Sequence, residues 1–586
     1  MKQIIWVLIC CFLITPTIGQ YYLRGEIKND RGRLLEGVRI TLSSNGNFPY
    51  YSGSLGTFGI STNRVVDTLT LSLDGYESSK VIVESRIFQH LAMKMLAATA
   101  NLYSRKLSSV TINLQAALPG SFSPPGESYT NLVENAFVNA DKYPETGFAM
   151  NVDKASYSNI RRFINNNMPV PTDAIRIEEM LNYFDFSDTA LHIVPNKFNC
   201  RSQLTSCPWE PGNRLLFLHL NAPKLQLDSI PASNLVFLID ISGSMDKPNR
   251  LPLLQNAFKL LVENLRKQDT ISIVTYGGGV GIALTPTSGD QKNKINQVID
   301  SLNASGDTPG EGAIRIAYDL AKKNFIEKGN NRVILATDGD FNIGQASEKE
   351  LEDLITEFKQ TGIYLTCLGV GMGNYKDSKL ETLAKKGNGN FAYIDNLQEG
   401  QKLLVTEFTQ TLYSVANNTF LKISFQPNMV KEYRLIGFDN KSDAIQDSSH
   451  GLEGGEVGSG HSIMAVFELK PVAYDTLSNK SGQLAEVQLV YEEAFTGSTI
   501  KQLFAVPSNS FSSIESAAAN YRLAAAVSMF GSVLKQSRYC GKTQLEDVLN
   551  FAKLYVKPQN KQEAEFLTLV EKAVTIYKPG KKKKKE

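Results

Sequence analysis

Hydrophobic and polar positions change their period several times along the chain, and each change marks a body. Between 22 and about 114 they alternate in short runs, at 23–27, 38–42, 57–60, 65–73 and 80–84, separated by Asn29-Asp30-Arg31-Gly32, Asn45-Gly46 and Asp74-Gly75. A period of two broken by turn residues predicts short strands with one buried face, so residues 20–114 are expected to form a β-sandwich. Ser, Pro and Gly around 119–126 mark residues 115–145 as a linker. The period then lengthens to that of a helix. Tyr157, Ile160, Phe163 and Ile164 share one face, and Ile175, Ile177, Met180, Leu181 and Phe184 another, with Pro169, Pro171 and Thr172-Asp173 between them. These stripes read as core of an α+β region over 146–230.

From 231 to 415 strands and helices alternate. The run 235–239 is apolar at every position, as expected of a strand buried on both faces of a parallel sheet. Leu253, Leu254, Ala257, Phe258, Leu261 and Leu265 follow at helical spacing. Strands are predicted at 270–276, 332–336, 363–368 and 390–394, and helices at 292–302, 313–325, 351–360, 379–386 and 403–414. The expected fold of this part is α/β, a doubly wound, Rossmann-like sheet whose ligands bind at the carboxyl ends of its strands. Alternation returns over 416–510, as in 420–425, 462–469 and 483–491, and predicts a second β-sandwich into which residues from before 231 also thread. Residues 511–580 read as a helical segment, with Leu523, Val527, Phe530 and Leu534 as one stripe, and 581–586 as a Lys-rich tail.

Length agrees with a multidomain reading, since 586 residues correspond to several bodies at about 150 residues each. Lys2 and Lys581 to Lys585 more than account for the formal net charge of +2, leaving the body slightly acidic. Such a body has no broad electrostatic footprint for phosphate backbones, which argues against nucleic acid as a partner. The tail itself offers at most a weak electrostatic association with an anionic envelope surface. Met1-Lys2, the apolar run 4–14 and Thr17-Ile18-Gly19 have the layout of a secretory signal over 1–19, so the mature chain is expected to be exported to the periplasm, the outer-membrane surface or the medium. The apolar run is too short to cross about 30 Å of hydrocarbon, and no transmembrane anchor is expected. Of the cysteines beyond this segment, Cys200 and Cys207 are close in sequence; a bridge between them is left open but not favoured. The five histidines are scattered, so zinc spacings are absent. Gly277-Gly278-Gly279 is not followed by the Lys and Ser/Thr of a phosphate loop.

Chemistry is concentrated at the predicted carboxyl ends of the sheet. Asp240-Ile241-Ser242-Gly243-Ser244 follows the first buried strand, Thr308 lies in a loop ahead of a helix, and Asp338 follows the 332–336 strand. Two carboxylates and three hydroxyls are hard oxygen donors suited to Mg²⁺ or Mn²⁺. This pattern resembles the von Willebrand factor A (VWA) domain with a metal-ion-dependent adhesion site (MIDAS). The resemblance implies that Asp240, Ser242, Ser244, Thr308 and Asp338 hold the ion and that a carboxylate from a protein ligand completes its shell. Ser242 and Ser244 would ligate directly, Thr308 and Asp338 directly or through water.

Further motifs extend the likeness. Val152 to Phe163, Arg176 to Phe184, Cys207-Pro208-Trp209 with Asn213 to Leu216, Val457 to Ser462 and Arg522 to Gly531 resemble the regions flanking the VWA domain in exported bacterial proteins of the YfbK type. Gly25-Glu26-Ile27, Gly32 to Ile40, Gly56 to Ile60 and Gly75-Tyr76 resemble the carboxypeptidase regulatory-like module, which implies a docking domain without catalysis. The expected function is therefore non-enzymatic recognition of an acidic residue on a protein partner, in envelope adhesion or complex assembly. Two alternatives stand beside it: a structural role with the metal site closed by the chain's own domains, and a hydrolase using Ser242 or Ser244, which lacks a G-x-S-x-G motif and a nearby histidine.

Overall fold

The structure, a computed structural model, describes residues 21–29, 32, 34–45, 49–53, 55–73, 76–94, 126–129, 134–150, 153–186, 197–226, 230–306, 310–339, 348–373, 375–438, 455–472, 482–494, 496–558 and 560–578. The expected signal at 1–19, the Pro-rich part of the linker, Thr308 and the Lys-rich tail lie outside them. The chain divides into two compact units, Met1–Lys106 and Leu107–Glu586.

In the first unit, Tyr21–Asn29 lies between antiparallel Thr57–Thr62 and parallel Gln89–Met93. A second sheet runs Pro49–Tyr51, Arg39–Leu42, Val66–Ser72, Ser79–Glu84. Alternation places Leu23, Ile27, Phe58 and Ile60 of one sheet and Ile40, Leu42, Leu69 and Leu71 of the other in a single core. The unit is thus a two-sheet sandwich.

In the second unit, the α/β sheet has the order Gly281–Ser288, Thr270–Tyr276, Ser233–Asp240, Asn330–Thr337, Ile363–Val370, Phe391–Ile394, all parallel except the first. Every residue of Ser233–Asp240 is buried. Leu235, Phe237 and Ile239 face a core under Leu251–Glu263 and Lys292–Ser301, while Val236 and Leu238 face one under Glu311–Lys323 and Asp377–Lys386. Helices on both faces explain why this strand reads as an unbroken apolar run. The edge strand Gly281–Ser288 is absent from the sequence reading. It exposes most of its residues and carries Pro286, which a strand tolerates at an edge.

The remaining sheets show that the α/β domain is inserted in another body. Asn199–Ser206 and Arg214–Asn221, which precede it, pair with each other, and on their outer sides with Phe511–Ser512 and Ser462–Pro471, which follow it. Glu145–Ala149 pairs with Ser414–Phe425, the strand on which the chain leaves the α/β domain. These two sheets share a core containing Phe148, Leu216, Leu218, Leu421, Ile423, Phe467 and Val487. The outer face of the six-stranded sheet, with Leu215, Phe217 and Val466, is covered by Ala155–Asn165, Ile177–Asn182 and the C-terminal helices Ala519–Leu534, Leu545–Tyr555 and Lys561–Tyr577. The described residues of 146–230, 416–510 and 511–580 therefore form one body rather than three.

The linker expected at 115–145 is corrected for its described part. Val138–Asn139 pairs with Val430–Ile436 and Ala140 is buried. Ser128 bridges Lys376 of the α/β domain, and Glu127 is ion-paired with Arg162 at 2.8 Å. The Ser/Pro/Gly content that suggested a linker is concentrated at 119–126; beyond it the sequence has apolar residues to bury, such as Phe137, Val138 and Ala140. Cys200 opens the strand Asn199–Ser206 and Cys207 follows its end, which places them about 23 Å apart at roughly 3.3 Å per residue. They are unpaired, as are Cys367 and Cys540.

Buried charges join the two bodies of this unit. The Arg161 guanidinium bonds both Asp395 oxygens and lies 2.6 Å from Glu399. Arg176 bonds Glu179 and, at 2.7 Å, Asp377. Lys154 meets Glu407 at 2.7 Å. Desolvating such ions is costly, so removing one member leaves its partners uncompensated. Arg161→Met is expected to destabilise the protein by about 3–5 kcal/mol in urea unfolding. A cost below about 1 kcal/mol would show that Arg161 does not hold the bodies together.

A pH effect comes from the same region. Burial, followed by repulsion from Glu179, pushes the Glu178 carboxyl up to about 7. A carboxyl raised on folding stabilises fully below its unfolded value, and that contribution is lost as pH rises through the folded one. Glu178→Gln should therefore melt higher than wild type near pH 8, with the gap narrowing towards pH 5. Parallel melting curves across that range would contradict this.

Candidate metal centre

The sheet delivers its polar groups at the carboxyl ends of its two central strands. Ser233–Asp240 ends on Asp240, and the chain then enters a loop held from three sides. Ile241 N donates to the Tyr276 carbonyl at 2.7 Å, Ser305 N to the Ile241 carbonyl at 2.7 Å, and Gly243 N to the Gly306 carbonyl at 2.9 Å. Ser242 N donates to Asp240 Oδ1 at 2.9 Å, turning the loop back over the carboxylate. Buried Met245 anchors the turn Gly243–Met245. Gly277 explains the nearby glycine run: it has φ +146°, and a Cβ there would lie 2.5 Å from the Ile241 carbonyl carbon and Ser242 N. Only a residue without a side chain lets the neighbouring loop back so closely onto the Asp240–Ser244 loop.

Asn330–Thr337 runs beside Ser233–Asp240 and continues into Asp338. Thr337 Oγ1 donates to Asp240 Oδ2 at 2.7 Å. Ser244 Oγ donates to Asp338 Oδ2 at 2.8 Å, and the hydroxyls of Ser242 and Ser244 are 3.1 Å apart. Asp240, Ser242, Ser244 and Asp338 are thus brought into one hydrogen-bonded cluster. Gly306, two residues before Thr308, touches the same loop through its carbonyl.

Asp240 and Asp338 are each 1% exposed. Burial raises the Asp240 carboxyl above the usual range, Asp338 adds repulsion, and bonds from Ser242 and Thr337 oppose the shift. Two groups in this network escape the sequence reading. Thr337 orients Asp240. Arg250, 4% exposed at the start of Leu251–Glu263, donates through Nη1 to Asp338 Oδ2 at 2.5 Å and to the Ser244 carbonyl at 2.6 Å, and through Nη2 to the Met372 carbonyl at 2.8 Å. Nothing local in the sequence marks it, because an arginine just ahead of a half-buried helix can equally well be solvated.

The donor set is oxygen alone, two carboxylates and two hydroxyls, which fits a small hard cation and gives no soft ligand to zinc or copper. Among the described residues, no three His, Cys, Asp or Glu side chains gather as a metal cluster, so hydroxyls must supply the balance of any shell here. If Gly277 is required for this geometry, Gly277→Ala should cost about 1–3 kcal/mol in urea unfolding by overpacking two backbones. Gly281→Ala, where a Cβ meets nothing within 4 Å, should stay within about 0.5 kcal/mol of wild type. Equal effects of the two would contradict the close approach.

The family models and sequence relatives that this chain matches agree with this architecture. Residues 234–407 match the von Willebrand factor type A domain, residues 410–576 the family described as "Uncharacterized protein YfbK, C-terminal", and residues 123–217 a model described as von Willebrand factor. The chain is 36% identical over 474 residues to YfbK of Escherichia coli K12, covering 77% of this chain and 82% of that protein. It is 26% identical over 226 residues to human inter-alpha-trypsin inhibitor heavy chain H4, covering 37% of this chain and 23% of that protein. A von Willebrand factor type A structure from Catenulispora acidiphila aligns with 64% of this chain and 89% of its own, at 14% identity and a TM-score of 0.40. The chain belongs to the YfbK family, and its inserted α/β domain is a von Willebrand factor type A domain.

Proposed function

We propose that the VWA domain takes up Mg²⁺ or Mn²⁺ between Asp240, Ser242, Ser244 and Asp338, with Thr308 completing the protein's donors, and that the ion receives an Asp or Glu carboxylate from a protein partner. The observation that carries this reading is the convergence of two buried carboxylates and two hydroxyls at the ends of adjacent parallel strands. A bound cation supplies the counter-charge without which a visiting carboxylate would be desolvated at a loss. One such contact gives recognition with modest affinity, so the surrounding rim must supply specificity.

The proposed role is binding rather than catalysis. A serine nucleophile needs a base, and the described histidines are engaged elsewhere: His90 with Glu26, His219 with Ser462, and His461 with the Gly458 amide. Nor is a metal clamp needed to join the domains, because Arg161, Arg176 and Lys154 already do so through carboxylates outside the five site residues. No helix among the described residues is long and apolar enough to cross a membrane. With the secretory layout of 1–19, the proposed setting is the cell envelope or beyond, with the Lys-rich tail adding weak attraction to anionic surfaces.

Mn²⁺ titration by calorimetry tests the site. Wild type should bind one ion and melt higher in its presence by mass action. Ser242→Ala and Asp338→Ala should each weaken binding by about tenfold or more. Unchanged Mn²⁺ affinity in both variants would overturn the assignment.

A further inference from the structure

We infer that Arg250 sets the charge that the bound ion presents, making the loaded site a receptor for a single monoanionic carboxylate. This inference rests on the cation site proposed above. Asp240, Asp338 and Arg250 carry charge into the hydrogen-bonded cluster, while the Tyr276 phenol, which burial and the neighbouring Asp240 keep protonated, bonds Asp240 as a neutral group. Over these three groups, two negative charges and one positive leave one net negative charge, so a divalent cation brings the group to one net positive charge. One carboxylate then neutralises it. Without Arg250, the two aspartates would already cancel the ion, and a visiting anion would meet no net charge.

The arginine is built into this place rather than resting against it. Its two terminal nitrogens bond three separate segments, at Asp338, the Ser244 carbonyl and the Met372 carbonyl. Gly371 has φ +76°, and a Cβ there would lie 2.5 Å from Arg250 Nε, so the loop after Ile363–Val370 closes directly on the guanidinium. At 4% exposure the charge is poorly screened and cannot swing into solvent. A fixed cation sharing Asp338 with the metal must weaken metal uptake and strengthen anion uptake by the loaded ion, since both follow from the sign of the same charge. It also compensates the two buried carboxylates when the metal is absent.

The test uses the full chain, Mn²⁺ followed by calorimetry, and acetate followed by its effect on water relaxation at bound Mn²⁺. Arg250→Gln removes the charge and keeps a donor for the Ser244 and Met372 carbonyls. It should bind Mn²⁺ about tenfold more tightly, take up acetate about tenfold more weakly once loaded, and melt lower than wild type in EDTA. Arg250→Lys keeps the charge and should hold wild-type Mn²⁺ affinity within about threefold. Mn²⁺ or acetate binding unchanged in Arg250→Gln, or an equal shift in both variants, would overturn the role of the charge. If Arg250→Gln does not fold, a tenfold shift in Mn²⁺ affinity in Arg250→Lys overturns it and retention supports it. Wild type that takes up no Mn²⁺ would instead refute the underlying cation site.

Discussion

Asp240 and Asp338 stand side by side under almost complete burial, and the carboxyl end of the VWA sheet is organised around making that tolerable. Thr337, the Ser242 amide and the Ser244 hydroxyl each give a hydrogen bond to one of the two carboxylates, and Arg250 gives a charge. None of these donors comes from a loop free to drift. Thr337 is the last residue of a central strand, the Asp240–Ser244 loop is pinned by the Tyr276 and Gly306 carbonyls, and Arg250 is closed in by Gly371. Buried charge of this kind is expensive unless it is paired and hydrogen-bonded, as these carboxylates are. Oxygen donors focused on one point at a strand terminus are what a hard divalent ion requires.

The setting of the domain gives that point a fixed frame. Both chain connections of the VWA domain lead into the same sandwich, and Arg161 and Arg176 reach across from its helical cover to Asp395, Glu399 and Asp377. Arg162 also approaches the carbonyl of Gly371 at 3.4 Å, next to Met372, whose own carbonyl holds Arg250. The loop 371–373 is therefore bonded on one side to Arg250 of the Asp240–Asp338 cluster and on the other to the flanking body. Rigid support of this kind is what keeps ligating groups within tenths of an ångström of their working geometry.

Much of this was legible in the sequence because it depends on local patterns. The unbroken apolar run ending at Asp240 marks a central parallel strand, and Asp240, Ser242, Ser244 and Asp338 follow strands whose ends the periodicity places correctly. Arg250 and Thr337 were not legible, because nothing local distinguishes a buried guanidinium or hydroxyl from a solvated one until its partners are in space. The threading of 145–149, 199–206 and 214–221 into sheets with residues beyond 414 is equally hidden, since strand alternation reports a buried face and not the partner. The segment 126–145 misled for a related reason: the Ser, Pro and Gly run at 119–126 is a local signal, whereas the pairing of Val138 with Tyr433 and of Glu127 with Arg162 is not.

The most direct measurement is a crystal structure of the protein grown or soaked with millimolar Mn²⁺, with the ion located by its anomalous scattering. The account predicts a single strong peak at about 2.0–2.3 Å from the Ser242 and Ser244 hydroxyl oxygens, on the side facing Asp240 and Asp338, with further oxygens completing an octahedral shell. A map with no peak there, or with manganese bound only at some other cluster, would contradict it.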